Sequence, residues 1–401
     1  MSLKDTWSNA YAFLVIPLMK YTQVDSSFVD LKCCVEVGNT ALFLTITMSF
    51  EPLSVNPRKY NPDYEARPDI SKVGEFSLDE NRTHLANKRA SARYLIRGYD
   101  HNRILESPLN LRDGYATWVP NQRGEKLKQI QQWIIEESKK GESLRKAVNA
   151  DIVTSRGILV SVGISPYDLE GDGIKLVCRK YQDVIFIQDF DTDKKMARES
   201  NQSFEDRLAE YTGRKFQKSV STAEPDGTYD PSEPVNDNVE FYAVFNANLG
   251  GLNVLYRGQV NCLTPDGKEY LEAKTQVFRL GYGRYFPKKA LKWWMQSRLT
   301  TVDKIVVGIR ERIGIVNKVY YMDVDRVLEY CPNWDVNVCF AVLETFLRTV
   351  QDILQNLTEE EVLVVERKPG NYEFNFNVLD ENDPSLEKYD IIEEDLKNRF
   401  D

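Results

Sequence analysis

The sequence predicts an α+β fold, built of mixed, largely antiparallel β-sheets flanked by helices. Three observations carry this expectation: apolar residues alternate with period two in several separate stretches, other stretches repeat at helical spacing, and a tight-turn signal joins two neighbouring strands antiparallel. Residues 40–52 read as a strand. In NQRGEKLKQIQQWIIEESKKGESLRKA, Leu127, Ile130 and Ile134 stand at helical spacing. IVTSRGILVSVGISPY and DVIFIQDF return to the period expected of strands. Residues 219–238, SVSTAEPDGTYDPSEPVNDN, are rich in Ser, Pro, Asp and Gly and should form an exposed loop. A strand near 239–248 comes next, then a hairpin over 253–279. An amphipathic helix at PKKALKWWMQSRL, strands at KIVVGIRE and VYYMDVD, and a helix through VNVCFAVLETFLRTVQDILQNL complete the order. No internal repeat or long linker divides the chain, so residues 1–380 are expected to form one composite domain, with an acidic tail over 381–401.

Composition narrows the functional classes. No run reaches the roughly 18 apolar residues of a membrane span, and the N-terminal AYAFLVIPLM is short and contains Pro17. Cys33, Cys34, Cys178, Cys262, Cys331 and Cys339 form no CxxC pair, which suits reduced thiols and argues against zinc. The net charge of -9 is concentrated in residues 358–401, where 14 acids face 5 bases. Ahead of that segment the charges balance, and Arg82, Lys88, Arg89, Arg93, Arg97 and Arg103 make a basic stretch that could follow a phosphate backbone or simply face solvent. With only His84 and His101 present, both read as surface residues, His-dependent nucleophilic catalysis has almost no raw material. Trp293 and Trp294 are expected to pack in the core.

The hairpin carries the chemistry. Asp266 and Gly267 form the strongest two-residue turn signal, and the register that follows sets Asn261 opposite Glu272 and Gln259 opposite Lys274, all four on one face. A solvent-exposed polar face would explain such a set as simply. However, Glu-x-Lys on a strand, facing an acid or amide on its neighbour, is also the arrangement of metal-dependent PD-(D/E)xK nucleases, in which carboxylates hold a divalent cation and the lysine steers a phosphate or water.

Further blocks, in order, make the resemblance specific. GEFSLDENR with Arg82, LNLRDGY, TSRGILVSVGISPYD with Arg156, GRKFQ, GQVNC, LEAKT and KWWMQS together resemble the decapping nuclease family, DXO and its RAI-type fungal members, which hydrolyse faulty RNA 5′ ends. The resemblance covers about residues 70–330 and implies a PD-(D/E)xK-nuclease-like core and a divalent metal, Mg or Mn. It implies that Glu272 and the Ala273 carbonyl face the metal, that Lys274 and Gln296 contact the scissile phosphate and RNA, and that Arg156 holds the 5′ end. Arg82, Glu125 and Tyr242 fall at substrate-lining positions. By likeness to the fungal members, the partners would be an RNA 5′ end and a nuclear 5′-to-3′ exoribonuclease, with no membrane involved, and the location nuclear.

The sequence departs from this pattern at three metal positions. Gln217, Gln259 and Asn261 each stand where the family has a carboxylate. Amides keep the shape and lose the charge, while a hard cation prefers anionic oxygen. Either a lineage has shed catalysis and kept binding, or each carboxylate was exchanged for its isosteric amide. The expectation is an RNA 5′-end protein with weak or lost catalysis; the alternative is a working hydrolase centred on Glu272.

Overall fold

The computed structural model describes the backbone over residues 30–38 and 41–49, and both backbone and side chains from Phe50 to Asp401 except residues 62, 65–67, 122, 123, 126 and 313. The AYAFLVIPLM run lies outside the described residues. Two mixed sheets, of eleven and seven strands, are flanked by helices. Four strand pairings are parallel and the others antiparallel, as expected for this α+β class.

Alternation explains the layering. In the strand Ile152–Ser155, Ile152 faces a core shared with the helices Arg156–Gly163, Phe286–Arg298 and Val336–Gln355, while Val153 faces the opposite core. That second core lies beneath Lys128–Glu137 and Glu394–Phe400. Val336–Gln355 buries Cys339, Val342, Leu343, Phe346, Leu347, Val350 and Leu354 along one stripe, each large side chain contributing about 1.5–3 kcal/mol of burial. Asp335 caps its start by accepting the Asn337 N–H at 2.9 Å. The acidic C-terminal segment is packed as well: Tyr389, Ile391, Ile392 and Leu396 are buried, and Gln131 clamps Ile391 and Glu393.

Four expectations need correction. The period-two reading of 152–167 fails after Ser155, because Arg156–Gly163 is a helix. Its apolar run is buried on nearly all sides, which erases the contrast that distinguishes the two periods. The hairpin is real only near its turn: Cys262 pairs with Leu271 and Leu263 with Tyr270, in the register derived from the sequence. Beyond that, the strand Leu252–Gln259 leaves to join the larger sheet, between Glu240–Leu249 and Ile152–Ser155. The turn itself is a four-residue loop, with Thr264 N–H donating to the Glu269 carbonyl and only Gly267 at positive φ. The 219–238 loop is tied down, since Ser221–Thr222 pairs with Tyr94–Leu95 and Val235 and Asn238 are buried.

The helix Phe204–Ser219 covers the outer face of the smaller sheet, its first turn closed by a Ser203–Asp206 capping box. Phe216 lies so close over Gly308 that a Cβ there would sit 2.4 Å from Cε2. Gly308→Ala is therefore expected to push the helix off the sheet at a cost of about 1–3 kcal/mol, read as a lower urea midpoint.

Candidate functional site

The strand Tyr270–Val277 turns Leu271 and Ala273 into the core under Phe216, and so points Glu272 and Lys274 to the other side, into the gap between the two sheets. Glu272 is 1% exposed. Its Oε1 accepts from Arg156 Nη1 at 2.8 Å, and its Oε2 lies 2.7 Å from the Lys274 ammonium. Lys274 Nζ also donates to Gln296 Oε1 at 3.1 Å. Arg156, the first residue of its helix, also donates through Nη1 to the Gln259 carbonyl at 3.0 Å, so its bond to Glu272 joins the larger sheet to the smaller.

Where the hairpin strands part, the edge of Tyr270–Val277 is open, and Asn261 Oδ1 accepts the Ala273 N–H at 3.1 Å. The Ala273 carbonyl leaves on the same edge, toward the site. Glu272, Lys274, Gln296, Arg156, Gln259, Asn261 and Ala273 thus converge, but not on one hairpin face as the register suggested: Gln259 belongs to the larger sheet and Asn261 bridges the parting strands. Gln217 rides the helix packed on this strand. Its carbonyl accepts from Ser221 Oγ at 2.6 Å, and it makes no hydrogen bond to Glu272.

Charge at the site is strongly one-sided. Burial alone would raise the Glu272 carboxyl, but the Lys274 ammonium and Arg156 guanidinium outweigh it and hold the group below the usual carboxylate range. Burial lowers Lys274, with the Arg156 and Arg214 charges adding to the effect against the pull of Glu272. Burial, with Arg310 and Lys274, brings Lys289 down to about 8. Lys292 is exposed along its length, yet protein crowding of its ammonium and the charges of Lys274, Lys288 and Arg156 lower it too. Several cations thus surround one buried carboxylate.

This donor set does not fit a divalent metal. Both Glu272 oxygens face cations, the Asn261 oxygen is taken by a backbone N–H, and no group of three or more His, Cys, Asp or Glu that could hold a metal occurs among the described residues.

Arg82, Glu125 and Tyr242 form a separate cluster. Arg82 Nε donates to Glu125 Oε1 at 2.7 Å, its Nη1 pairs with Glu240, and Tyr242 Oη donates to Glu240 Oε2 at 2.7 Å. Tyr242 is the cross-strand neighbour of Gln259, so this cluster borders the Glu272 site without bonding to its carboxylate. A cleft of about 700 Å³ opens beside it, lined by Arg82, His84, Glu125, Lys128 and Gln129. The basic stretch does not form a phosphate track: Arg82, Lys88, Arg89, Arg93 and Arg97 each pair with an acid, and Arg103 donates to the Gly98 carbonyl. His84 is no surface residue, since its ring stacks on Phe76 at 4.6 Å and its Nδ1 meets Glu136. Trp293 and Trp294 are core residues, as expected.

Sequence reasoning missed Lys289 and Lys292, which share a helix face with Gln296 at spacings of three and four. A signal was there: residues 273–302 hold seven Lys or Arg and no Asp or Glu, in a chain of net charge -9.

Known proteins resemble this chain in sequence and in fold. The sequence matches the family described as RAI1 like PD-(D/E)XK nuclease over residues 69–397. It is 30% identical to the decapping nuclease dom-3 of Caenorhabditis elegans over 258 residues, 62% of this chain and 65% of that one, slightly under two thirds of the relative's length. It is 29% identical to the human decapping and exoribonuclease protein over 318 residues, 75% of this chain and 78% of that one. Among solved structures, Scheffersomyces stipitis Rai1 in complex with (3′-NADP)+ and calcium ion superimposes with a TM-score of 0.72 at 18% identity, covering 88% of this chain and 99% of that one. Candida albicans Rai1 in complex with pU5-Mn2+ gives 0.71 at 16%, covering 87% and 99%. The sequence match takes in the smaller sheet, most of the larger one and the Arg156 helix, more than three quarters of the chain, and on that extent the chain belongs to the RAI1-like PD-(D/E)XK nuclease family.

Proposed function

We propose that this chain binds phosphorylated RNA 5′ ends and has lost most of the metal-dependent hydrolysis its family is named for. The observation that carries the reading is the engagement of Glu272: an anion meant for a divalent cation is instead neutralised by Arg156 and Lys274. Gln217, Gln259 and Asn261 stand at the positions where the family resemblance calls for carboxylates. A terminal phosphate meeting Lys274, Gln296 and the lysines of the Phe286–Arg298 helix finds donors and positive charge, which suffice to hold it. RNA as ligand class is supported by the family's name and by the pU5 in complex with the Candida relative. A role in the nucleus, beside a 5′-to-3′ exoribonuclease, belongs to the same reading and is supported by the resemblance to the fungal members.

The test is binding of a 5′-monophosphorylated oligouridylate, followed by fluorescence anisotropy. Chelation with EDTA is expected to leave affinity within about twofold, while Arg156→Gln or Lys292→Gln weakens it about tenfold or more, the worth of one charge-assisted hydrogen bond. Affinity should also fall as pH rises through about 8, because the Lys289 ammonium is then lost. Folding stability moves oppositely: the folded state favours neutral Lys289, so stability rises from about 8 toward the ordinary lysine value. Binding that vanishes on chelation would favour the alternative, a working hydrolase with a metal on Glu272, as family membership alone suggests.

A further inference from the structure

Between the strand that carries Lys274 and the helix that carries Gln296 runs the loop Phe278 to Tyr285, FRLGYGRY. Phe278, Tyr282 and Tyr285 are 44%, 40% and 59% exposed, so three aromatic rings stand in water within eight residues. The Phe278 and Tyr282 rings meet edge to face at 5.0 Å; Arg312 lies over Phe278 at 5.7 Å and Arg284 over Tyr285 at 4.6 Å. Arg279, Arg284 and Arg312 are exposed, and none of them pairs with a carboxylate among the described residues. Among the described residues, Arg310 has a buried Nε without a hydrogen-bond partner, and its Nη1 donates to the carbonyls of Glu311 and Arg312. Glu311, exposed and next in the chain, is the nearby acid.

The loop is built to hold a shape. The Phe278 N–H donates to the Arg310 carbonyl at 2.9 Å, the Gln276 amide to the Tyr282 carbonyl at 2.9 Å, and Phe286 N–H to the Gly283 carbonyl at 3.0 Å. Gly281, at φ 76°, presses against Tyr330 so closely that a Cβ would fall 2.9 Å from its ring. Phe278 itself is held at φ 62°, an uncommon conformation for a bulky residue. Exposed aromatics on a rigid, acid-free stretch are costly for a surface that meets only water, and they stack on nucleobases without regard to sequence.

Continuity with the Glu272 site fixes the occupant. From Lys274 to Val277 the strand rises about 10 Å, so a chain whose terminal phosphate rests at Lys274 and Gln296 reaches the loop within a few nucleotides. We propose that Phe278, Tyr282 and Tyr285, with Arg279, Arg284 and Arg312, form a stacking platform for the single-stranded RNA that trails from the bound 5′ end. This rests on the RNA reading of the Glu272 site. The platform reads no base edges; it adds affinity and salt dependence with length, favouring RNAs whose first nucleotides are unpaired.

The experiment compares 5′-phosphorylated oligouridylates of two and twelve nucleotides, by anisotropy across a salt series. The expected result is tighter binding of the twelve-mer, lost by about tenfold or more in Tyr282→Ala/Tyr285→Ala, with the two-mer unaffected; base stacking on an aromatic is worth about 5- to 150-fold per base. Arg279→Gln/Arg284→Gln should lower the slope of log affinity against log salt by about 1.4 for the twelve-mer, the two phosphate contacts removed. Unchanged circular dichroism melting of these exposed-residue variants shows that folding is not at issue. Equal affinity for both lengths, or loop variants indistinguishable from the parent, overturns the platform. So does loss of a co-purifying exoribonuclease in the loop variants with RNA affinity intact, which would make the surface a protein-docking one. Two-mer binding that Arg156→Gln leaves untouched defeats the reading of the Glu272 site instead, and separates that failure from failure of the platform.

Discussion

Replacing Gln217→Glu, Gln259→Glu and Asn261→Asp together is expected to raise affinity for Mn²⁺ or Mg²⁺ by at least about a thousandfold and to raise metal-dependent hydrolysis of 5′-phosphorylated RNA well above that of the parent chain. A unit charge pair at about 4 Å is worth roughly 4 kcal/mol at an effective dielectric near 20, before desolvation, and three new anions would enter a cup now dominated by Arg156, Lys274 and the lysines of the Phe286–Arg298 helix. The extra anions would also compete with Glu272 for Arg156 and Lys274, for which it is now the paired carboxylate. Calorimetric metal titration and a gel assay of RNA cleavage read the two effects separately. Parent and restored chains with equal hydrolysis would defeat the proposal of a disabled site. Metal uptake without cleavage would show that the amides account for the ion and that something else limits the chemistry.

Glu272→Gln should cost about 3 kcal/mol of folding stability, the low end for breaking a buried ion pair, because Arg156 and Lys274 retain some solvent at 11% and 15% side-chain exposure. The side chain keeps its shape, so the loss comes from leaving two like charges facing each other with no anion between them. Urea denaturation at neutral pH measures it. The sign with pH follows from the depressed carboxyl: its stabilisation is present above the ordinary carboxylate value and is lost as pH falls through the lower folded value, so parent and variant should converge in acid. Inorganic phosphate is expected to restore more stability to the variant than to the parent, since it supplies the missing anion. A difference below about 1 kcal/mol would mean that the triad of Arg156, Glu272 and Lys274 is solvated far more than its burial implies.

The position of the turn and its register were legible because they are local, although the loop is longer than the two-residue turn read from the sequence: Asp266 and Gly267 limit how the chain can reverse, and the Cys262–Leu271 pairing follows. The departure of Leu252–Gln259 to the other sheet had one local signal that went unread, the Gly250–Gly251 turn that pairs it antiparallel with Glu240–Leu249; its parallel pairing with Ile152–Ser155, about a hundred residues away, was not legible. Arg156 was found through its motif, but its place at the head of a helix was hidden by a mostly apolar run rich in β-branched residues. The basic stretch misled for the same reason of distance: the acids that neutralise Arg93 and Arg97 are Glu233 and Asp226, well over a hundred residues away. The amides at 217, 259 and 261 are visible only against the family's pattern, because nothing in a lone Gln or Asn marks a missing charge.

The parting of two strands after Gln259 has a mechanical corollary. One rim of the pocket hangs from each sheet, and polar threads cross between them: Arg156, at the end of a larger-sheet strand, holds the Glu272 carboxylate of the smaller sheet, and Asn261 takes the Ala273 amide. An anion seated between Arg156, Lys274 and Gln296 would touch groups carried on both sides of that gap and is expected to tie the halves together, as a pin does in a clasp. Occupancy and rigidity are then the same event, and the seam between the sheets is where the chain would register that its ligand has arrived.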